Sequence, residues 1–249
     1  MLSSPQFPAS MPSNPEDRSG LITQCLSGVR QQLAAAAIRH GRDPEKVQLL
    51  AVSKQQSVAA ITAAAQAGQR DFGESYLQEA LPKMEACRSL ALTWHFIGQV
   101  QSNKTRPIAE HFDWLHTLAR DKIAERLNDQ RPPHMMPLQV CIQVKLADED
   151  TKGGIGPAEV LSLAQYIVKL PRLKLRGLMC IPPPSESLAQ QRSYFAQLAV
   201  LLKQLNQQLA TDGTSLDTLS MGMSGDFEAA IAEGATMVRI GTAIFGERS

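Results

Sequence analysis

QLLAVSKQQSVAAITAAAQAGQRDFGES, residues Gln48 to Ser75, holds one strand, one helix and the start of a second strand. QLLAVSK is a short apolar run that ends on a charge. Ser57 to Ala67 is a helical stretch closed by Gly68, and RDFGES opens the next apolar run. Strands that follow one another through a crossover helix lie parallel in one sheet, so this stretch is a βαβ unit. The alternation continues outward through TWHFIG (93–98), DWLHTL (113–118), LQVCIQVK (138–145), LRGLMCI (175–181), LDTLSMGM (216–223) and TMVRIGTAIFG (236–246), eight strand candidates in all. Helical stretches separate them, such as Pro157 to Leu170, whose proline suits a first helical turn.

Eight apolar strands with crossover helices point to a closed (β/α)8 TIM-type barrel, with an open doubly wound sheet as the alternative. A length of 249 residues is compatible with one such unit. The spacing of Leu21, Ile22, Cys25, Leu26, Val29, Leu33 and Ala37 predicts an extra N-terminal helix to Ile38, stopped by Gly41. The chain ends at Ser249, soon after the eighth strand, so that helix is expected to cover the place of an eighth outer helix. Residues 1–18, rich in Pro, Ser and Asn, read as a flexible N-terminal arm, and 19–249 as the barrel domain.

The composition, 43% hydrophobic and 20% charged, is that of an ordinary globular chain. Its 25 basic and 24 acidic residues are interspersed, which offers no electrostatic footprint for nucleic acid or a membrane surface. No apolar run is long enough to span a bilayer, and the start has no signal-peptide pattern. Cys25, Cys87, Cys141 and Cys180 are widely spaced, which suits a reducing cytoplasm better than a disulfide framework or zinc site. His111 and His116 have no metal-ligand spacing, and no metal is assigned.

Barrel enzymes of this type work at the C-terminal ends of their strands, often with a phosphate site after strands seven and eight. Lys54 ends strand one there, as an imine-forming amine or as a solvated strand cap. Ser224 and Gly225 open a helix after strand seven, and Gly241 with Thr242 ends strand eight. Each turn serves an anion or simply caps a helix. Arg239, a charge inside an apolar strand, requires a partner: a carboxylate such as Asp226 or Glu228, or a group on a ligand. His95 faces the mouth or is bonded in the core. Met179 and Met223 have the look of core filler. GGIG (153–156) reads as a flexible loop, and LADEDTKGG as a solvated one that carries Lys152 as a second amine near the mouth.

Together AVSK, DFGESY, HFIGxxQxNK, RGLMxIP, GMSxD and VRIGTAIFG, in order from Gln48 to Gly246, resemble the pyridoxal phosphate homeostasis protein family. That family is similar to the barrel domain of bacterial alanine racemases. The resemblance implies pyridoxal 5′-phosphate (PLP) as cofactor, with Lys54 as Schiff-base lysine. It places Ser224, Gly225, Gly241 and Thr242 around the phosphate, Arg239 at the pyridine nitrogen, and Ser75, His95 and Met223 near the cofactor. Ser75 departs from the asparagine of the family's FGENY run, and a hydroxyl there reaches the cofactor through water. A guanidinium cannot hand a proton to the pyridine nitrogen, so the ring is a poor electron sink. The expected role is binding, buffering and releasing PLP for PLP-dependent apoenzymes, as a monomer or weak dimer. A low-activity amino-acid racemase is the enzymatic alternative, although a second domain to supply its opposite acid/base is not expected. A sugar-phosphate barrel without cofactor is the third.

Overall fold

The structure, a computed structural model, describes residues 15–147, 153–210, 213 and 215–246. Eight strands, β1 (Gln48–Val52), β2 (Asp71–Glu74), β3 (Thr93–Phe96), β4 (Trp114–Leu118), β5 (Leu138–Gln143), β6 (Leu173–Met179), β7 (Thr218–Ser220) and β8 (Met237–Ile240), pair in sequence order. Every pairing is parallel, and β8 closes the ring on β1 through Gln48↔Met237 to Ala51↔Ile240. The expected closed barrel is therefore formed, and the open sheet is not.

The helices follow the same alternation: α1 (Pro15–Arg39), α2 (Val58–Gln66), α3 (Leu77–Ala86), α4 (Thr105–His111), α5 (Asp121–Gln130), α6 (Val160–Ile167), α7 (Leu188–Leu209), α8 (Phe227–Ala232) and α9 (Thr242–Phe245). Ser57 caps α2 by accepting the Ala60 N–H at 3.2 Å, and Ser187 does the same for Gln190 ahead of α7. α1 buries Ile22, Leu26, Val29, Leu33 and Ala37, the expected stripe, and packs against α2, α8 and α9. It thus covers the β1/β8 seam, sharing that place with the four-residue α9. Its first turn begins at Pro15, ahead of the apolar stripe.

Alternation along each strand divides the barrel into two cores. Leu49 and Ala51, Phe72, Trp94 and Phe96, Leu115, Val238 and Ile240 face the helices and belong to the main apolar core. The residues between them face inward, where, among the described residues, Trp114, Cys141 and Met179 form a small apolar cluster. His95, His116, Ser220 and Arg239, all buried, share that interior with Leu50 and Met237. GGIG is more ordered than a flexible loop. Ile155 pairs in parallel with Val144, exchanging backbone hydrogen bonds with Gln143 and Lys145 and so extending β5.

Among the described residues no helix is long and apolar enough to cross a membrane, and no group of side chains has the makings of a metal site. The four cysteines carry free thiols. Burial pushes those of Cys141 and Cys180, inside the barrel, up to about 12, so both stay protonated and unreactive at neutral pH.

Candidate functional site

Lys54 stands half-buried in the turn that leaves β1, and the residues on both sides of it are tied down. The Ser53 hydroxyl donates to Glu74 Oε1 at 2.6 Å. Lys83 of α3 donates to the same oxygen and to the Ser53 carbonyl, both at 3.0 Å. On the other side the Gln55 N–H donates to Glu79 Oε2 at 2.9 Å, with Gln55 held in the left-handed region at φ 62°. Glu74 is wholly buried, and burial raises its carboxyl above the ordinary value against the opposing pull of Ser53 and Lys83. The clamp fixes where the Lys54 backbone leaves the strand.

Removing the cation while keeping its stem would strand a buried carboxylate. Lys83→Met is therefore expected to destabilise the fold by about 3 kcal/mol. Chemical denaturation at neutral pH checks this, and Lys83→Met with Glu74→Leu should recover most of the loss.

Lys54 opens into a cavity of about 580 Å³ that is also lined by Ser75, Tyr76, Gln99, Gln101 and Lys104. The wall between β2 and β3 is a backbone contact. A Cβ added at Gly98 would lie 2.2 Å from the Ser75 carbonyl oxygen, while Thr117 Oγ1 donates to the Gly98 carbonyl at 2.6 Å from the far side. Glycine is what lets the two strand ends approach.

At the same end of the barrel lie the turns after β7 and β8, the second of them beside β1 in the ring. Gly222 adopts φ 91°, and a Cβ there would meet that of Ala230 at 2.7 Å, so glycine is required for α8 to sit against the turn. The expected cap shifts along the chain: Asp226, not Ser224, stands at the N-cap of α8, and its Oδ1 accepts the Met223 N–H at 2.6 Å. Ser224 and Gly225 are left exposed in the turn ahead of the helix, and Met223 beside them is exposed too, not core filler as Met179 is. Gly241 packs closely on Val52, just before Lys54 in the chain, and precedes exposed Thr242 at the start of α9. Ser224 lies two residues ahead of the α8 cap and Thr242 opens α9, so each turn presents one exposed hydroxyl. This is a donor set suited to an oxyanion.

Arg239 lies inside the barrel in register with Leu50, below the level of Lys54. Neither Asp226 nor Glu228 bonds it. Its guanidinium donates to Ser220 Oγ and to the Cys180 carbonyl, both at 2.9 Å. Glu228 faces solvent and pairs with Arg39 at 2.8 Å, while Asp226 adds only its field. Burial lowers the Arg239 guanidinium from its usual value, opposed chiefly by Cys180 and Asp226. A guanidinium so far above neutral remains a cation that donates hydrogen bonds without releasing a proton.

His95 takes the second of its two expected places, bonded in the core. Its Nδ1 meets His116 Nε2 at 2.9 Å and its Nε2 meets Asp71 Oδ1 at 3.1 Å, so both ring nitrogens are engaged and neither faces the cavity. Burial drives both imidazoles toward the neutral form, most strongly His116, which also feels His95 and Arg239. Lys152 lies outside the described residues. The remaining expected positions, Lys54, Ser75, the 223–225 turn, Gly241 and Thr242, gather at one end of the barrel. Sequence reasoning missed Glu74, Glu79 and Lys83 behind Lys54, and His116 and Ser220 behind Arg239. Gln101 and Lys104 were legible in the QxNK part of the HFIG motif.

Comparison with known proteins places this arrangement. The family described as "Alanine racemase, N-terminal domain" matches residues 26–249. The chain is 53% identical to the pyridoxal phosphate homeostasis protein of Pseudomonas aeruginosa over 227 residues, which covers 91% of this chain and 96% of that one. It is 52% identical to the protein of the same description from Escherichia coli over 230 residues, or 91% and 97%. Among solved structures, PipY of Synechococcus elongatus with PLP bound superposes with a TM-score of 0.80. That match is at 39% identity and covers 90% of this chain and all of that one.

Proposed function

The chain belongs to the alanine racemase N-terminal domain family and, within it, to the pyridoxal phosphate homeostasis proteins, and from that premise we propose that it binds and releases PLP through Lys54. One observation carries the assignment of residues. A lysine clamped at the end of β1 opens into a cavity at the end of the barrel where the turns after β7 and β8 also lie, and those turns carry the exposed hydroxyls of Ser224 and Thr242. The residues therefore fit the cofactor at three points. Lys54 is the amine for the aldehyde, Ser224, Gly225, Gly241 and Thr242 hold the phosphate, and Arg239 donates to the pyridine nitrogen.

When bound, the cofactor supplies a reactive aldehyde and a ring that can withdraw electrons. The protein's own groups restrict the chemistry to capture and release. Lys54 would be the amine that holds the aldehyde reversibly. Arg239 cannot protonate the ring nitrogen, so electron withdrawal stays weak. Glu79 and Lys83 keep Lys54 in place between one capture and the next. These properties suit a reservoir that holds the aldehyde out of free solution and delivers it to PLP-dependent apoenzymes.

The test is the absorbance spectrum of the purified protein with added PLP, before and after borohydride. A visible band that reduction abolishes supports the reading, and a colourless protein that takes up no PLP overturns it. Gly225 gives an independent check on the phosphate turn. An added Cβ there meets nothing within 4 Å, so Gly225→Ala should fold with unchanged melting temperature. The methyl group occupies the space in front of the turn, and the PLP dissociation constant should rise about tenfold, as for one lost charge-assisted hydrogen bond. Unchanged affinity would place the phosphate elsewhere.

A further inference from the structure

Five side chains inside the barrel form one continuous hydrogen-bonded chain: Arg239 to Ser220 Oγ at 2.9 Å, Ser220 Oγ to His116 Nδ1 at 2.8 Å, His116 Nε2 to His95 Nδ1 at 2.9 Å, and His95 Nε2 to Asp71 Oδ1 at 3.1 Å. It runs from the charged residue below the mouth to the first residue of β2, at the opposite end of the barrel. Asp71 is its one part-exposed member, with the side chain 20% exposed. Trp114 stacks on His95 with ring planes 13° apart and holds that imidazole in orientation.

The donors and acceptors admit one assignment. A carboxylate only accepts, so the proton facing Asp71 is on His95 Nε2. His95 is neutral in its dry setting, which leaves Nδ1 bare, and the proton between the rings belongs to His116 Nε2. His116 is neutral too, so its Nδ1 accepts and the Ser220 hydroxyl must donate to it. The lone pairs of Ser220 are thereby turned toward Arg239, which can only donate. Every hydrogen bond points from the guanidinium to the carboxylate, and the bond dipoles reinforce one another.

We propose that His95 and His116 are positioning residues for the cofactor, fixed by Asp71 in their Nε2–H tautomers so that Ser220 presents an acceptor to Arg239 and aims its guanidinium at the ring nitrogen. The proposal rests on the assignment of Arg239 to that nitrogen. Neither imidazole lines the cavity that Lys54 enters. The groups facing them are Asp71 and Asp113 at His95, and Arg239 through Ser220 at His116.

The experiment has two arms. In the apoprotein, ¹⁵N NMR of labelled histidines should show both rings neutral at pH 7 with the proton on Nε2. Nδ1–H in either ring, or exchange between tautomers, overturns the proposal whatever the cofactor does. In the second arm PLP is titrated into wild type, His116→Leu and His116→Gln. A glutamine can accept from Ser220 with its oxygen and donate to His95 with its nitrogen, which keeps the direction of the chain. A leucine breaks it. His116→Leu is expected to bind PLP about tenfold more weakly, with the absorbance band of the bound cofactor displaced, yet still to be trapped by borohydride. His116→Gln should lie within about threefold of wild type, with the band in place. An unmoved band and unchanged affinity in His116→Leu would overturn the proposal. Failure of wild type to take up PLP would instead overturn the assignment of the cofactor, while the tautomers still decide the chain.

Discussion

Lys54→Ala is expected to abolish covalent capture of PLP: the visible band disappears, and borohydride leaves no adduct on the protein. Lys104 also lines the cavity, so a second amine is within the same space, and the experiment separates the two. Capture by an amine requires the neutral form at a fixed position beside the carbonyl carbon. Lys54 meets the positional requirement, because Ser53 and Gln55 are anchored on both sides of it by Glu74, Lys83 and Glu79. Lys104 ends a 3-10 turn at the cavity edge, ahead of α4 and away from the Glu74, Glu79 and Lys83 group that anchors the β1 turn. Lys104→Ala should therefore keep the band. Loss of the covalent link leaves the phosphate and ring contacts, so Lys54→Ala should still bind PLP reversibly, about 100-fold more weakly, a change of about 2.7 kcal/mol. Stability should stay within about 0.5 kcal/mol, since a half-buried residue in a turn contributes little packing. A band that survives Lys54→Ala and vanishes in Lys104→Ala would move the anchor to the start of α4.

The barrel and its mouth were legible because their signals are local. An apolar run that ends in Lys54, a helix closed by Gly68 and a second run at Asp71 fix one βα step. Eight such steps leave closure as the way to pair both edges. Arg239 announced itself through the cost of an unpaired buried charge, but its partners did not. Ser220 sits in LSM, where a lone serine in a strand has no distinguishing mark, and it meets Arg239 only because β7 and β8 are neighbours in the ring. His95 and His116 are 21 residues apart and belong to adjacent strands, so their contact is a product of register. Lys83 and Glu79 follow the pattern of a solvated helix face, yet α3 turns that face toward the β1 turn. The shift of the α8 cap from Ser224 to Asp226 has a related cause. Both residues are good caps by type, and residue type alone does not show that the 223–226 turn, closed by Asp226 on the Met223 N–H, comes before the helix.

Gly98→Ala should unfold the barrel far more readily than Lys54→Ala or Gly225→Ala, and for a reason independent of chemistry. The added Cβ would lie 2.2 Å from the Ser75 oxygen and 2.9 Å from its carbonyl carbon and Cα, all backbone atoms that cannot rotate away. Withdrawal of Gly98 in the opposite direction is blocked by Thr117, whose hydroxyl holds the Gly98 carbonyl at 2.6 Å. The ends of β2 and β3 must therefore separate, at a cost of about 4 kcal/mol, the level reserved for severe core strain. For a barrel of this size that lowers the melting temperature by about 10 °C. Gly153→Ala is the matched control, because the nearest atom to its added Cβ is the Gln99 amide nitrogen at 3.4 Å, at the end of a side chain that can turn aside. Gly98 and Ser75 both line the cavity that Lys54 enters, so the same separation should weaken PLP binding in whatever protein stays folded at low temperature. Gly98→Ala with a melting temperature within about 2 °C of wild type would show that the strand ends relax freely. Destabilisation with PLP affinity unchanged would instead confine the role of this contact to the fold, and would locate the cofactor on the Lys54 and β8 side of the mouth.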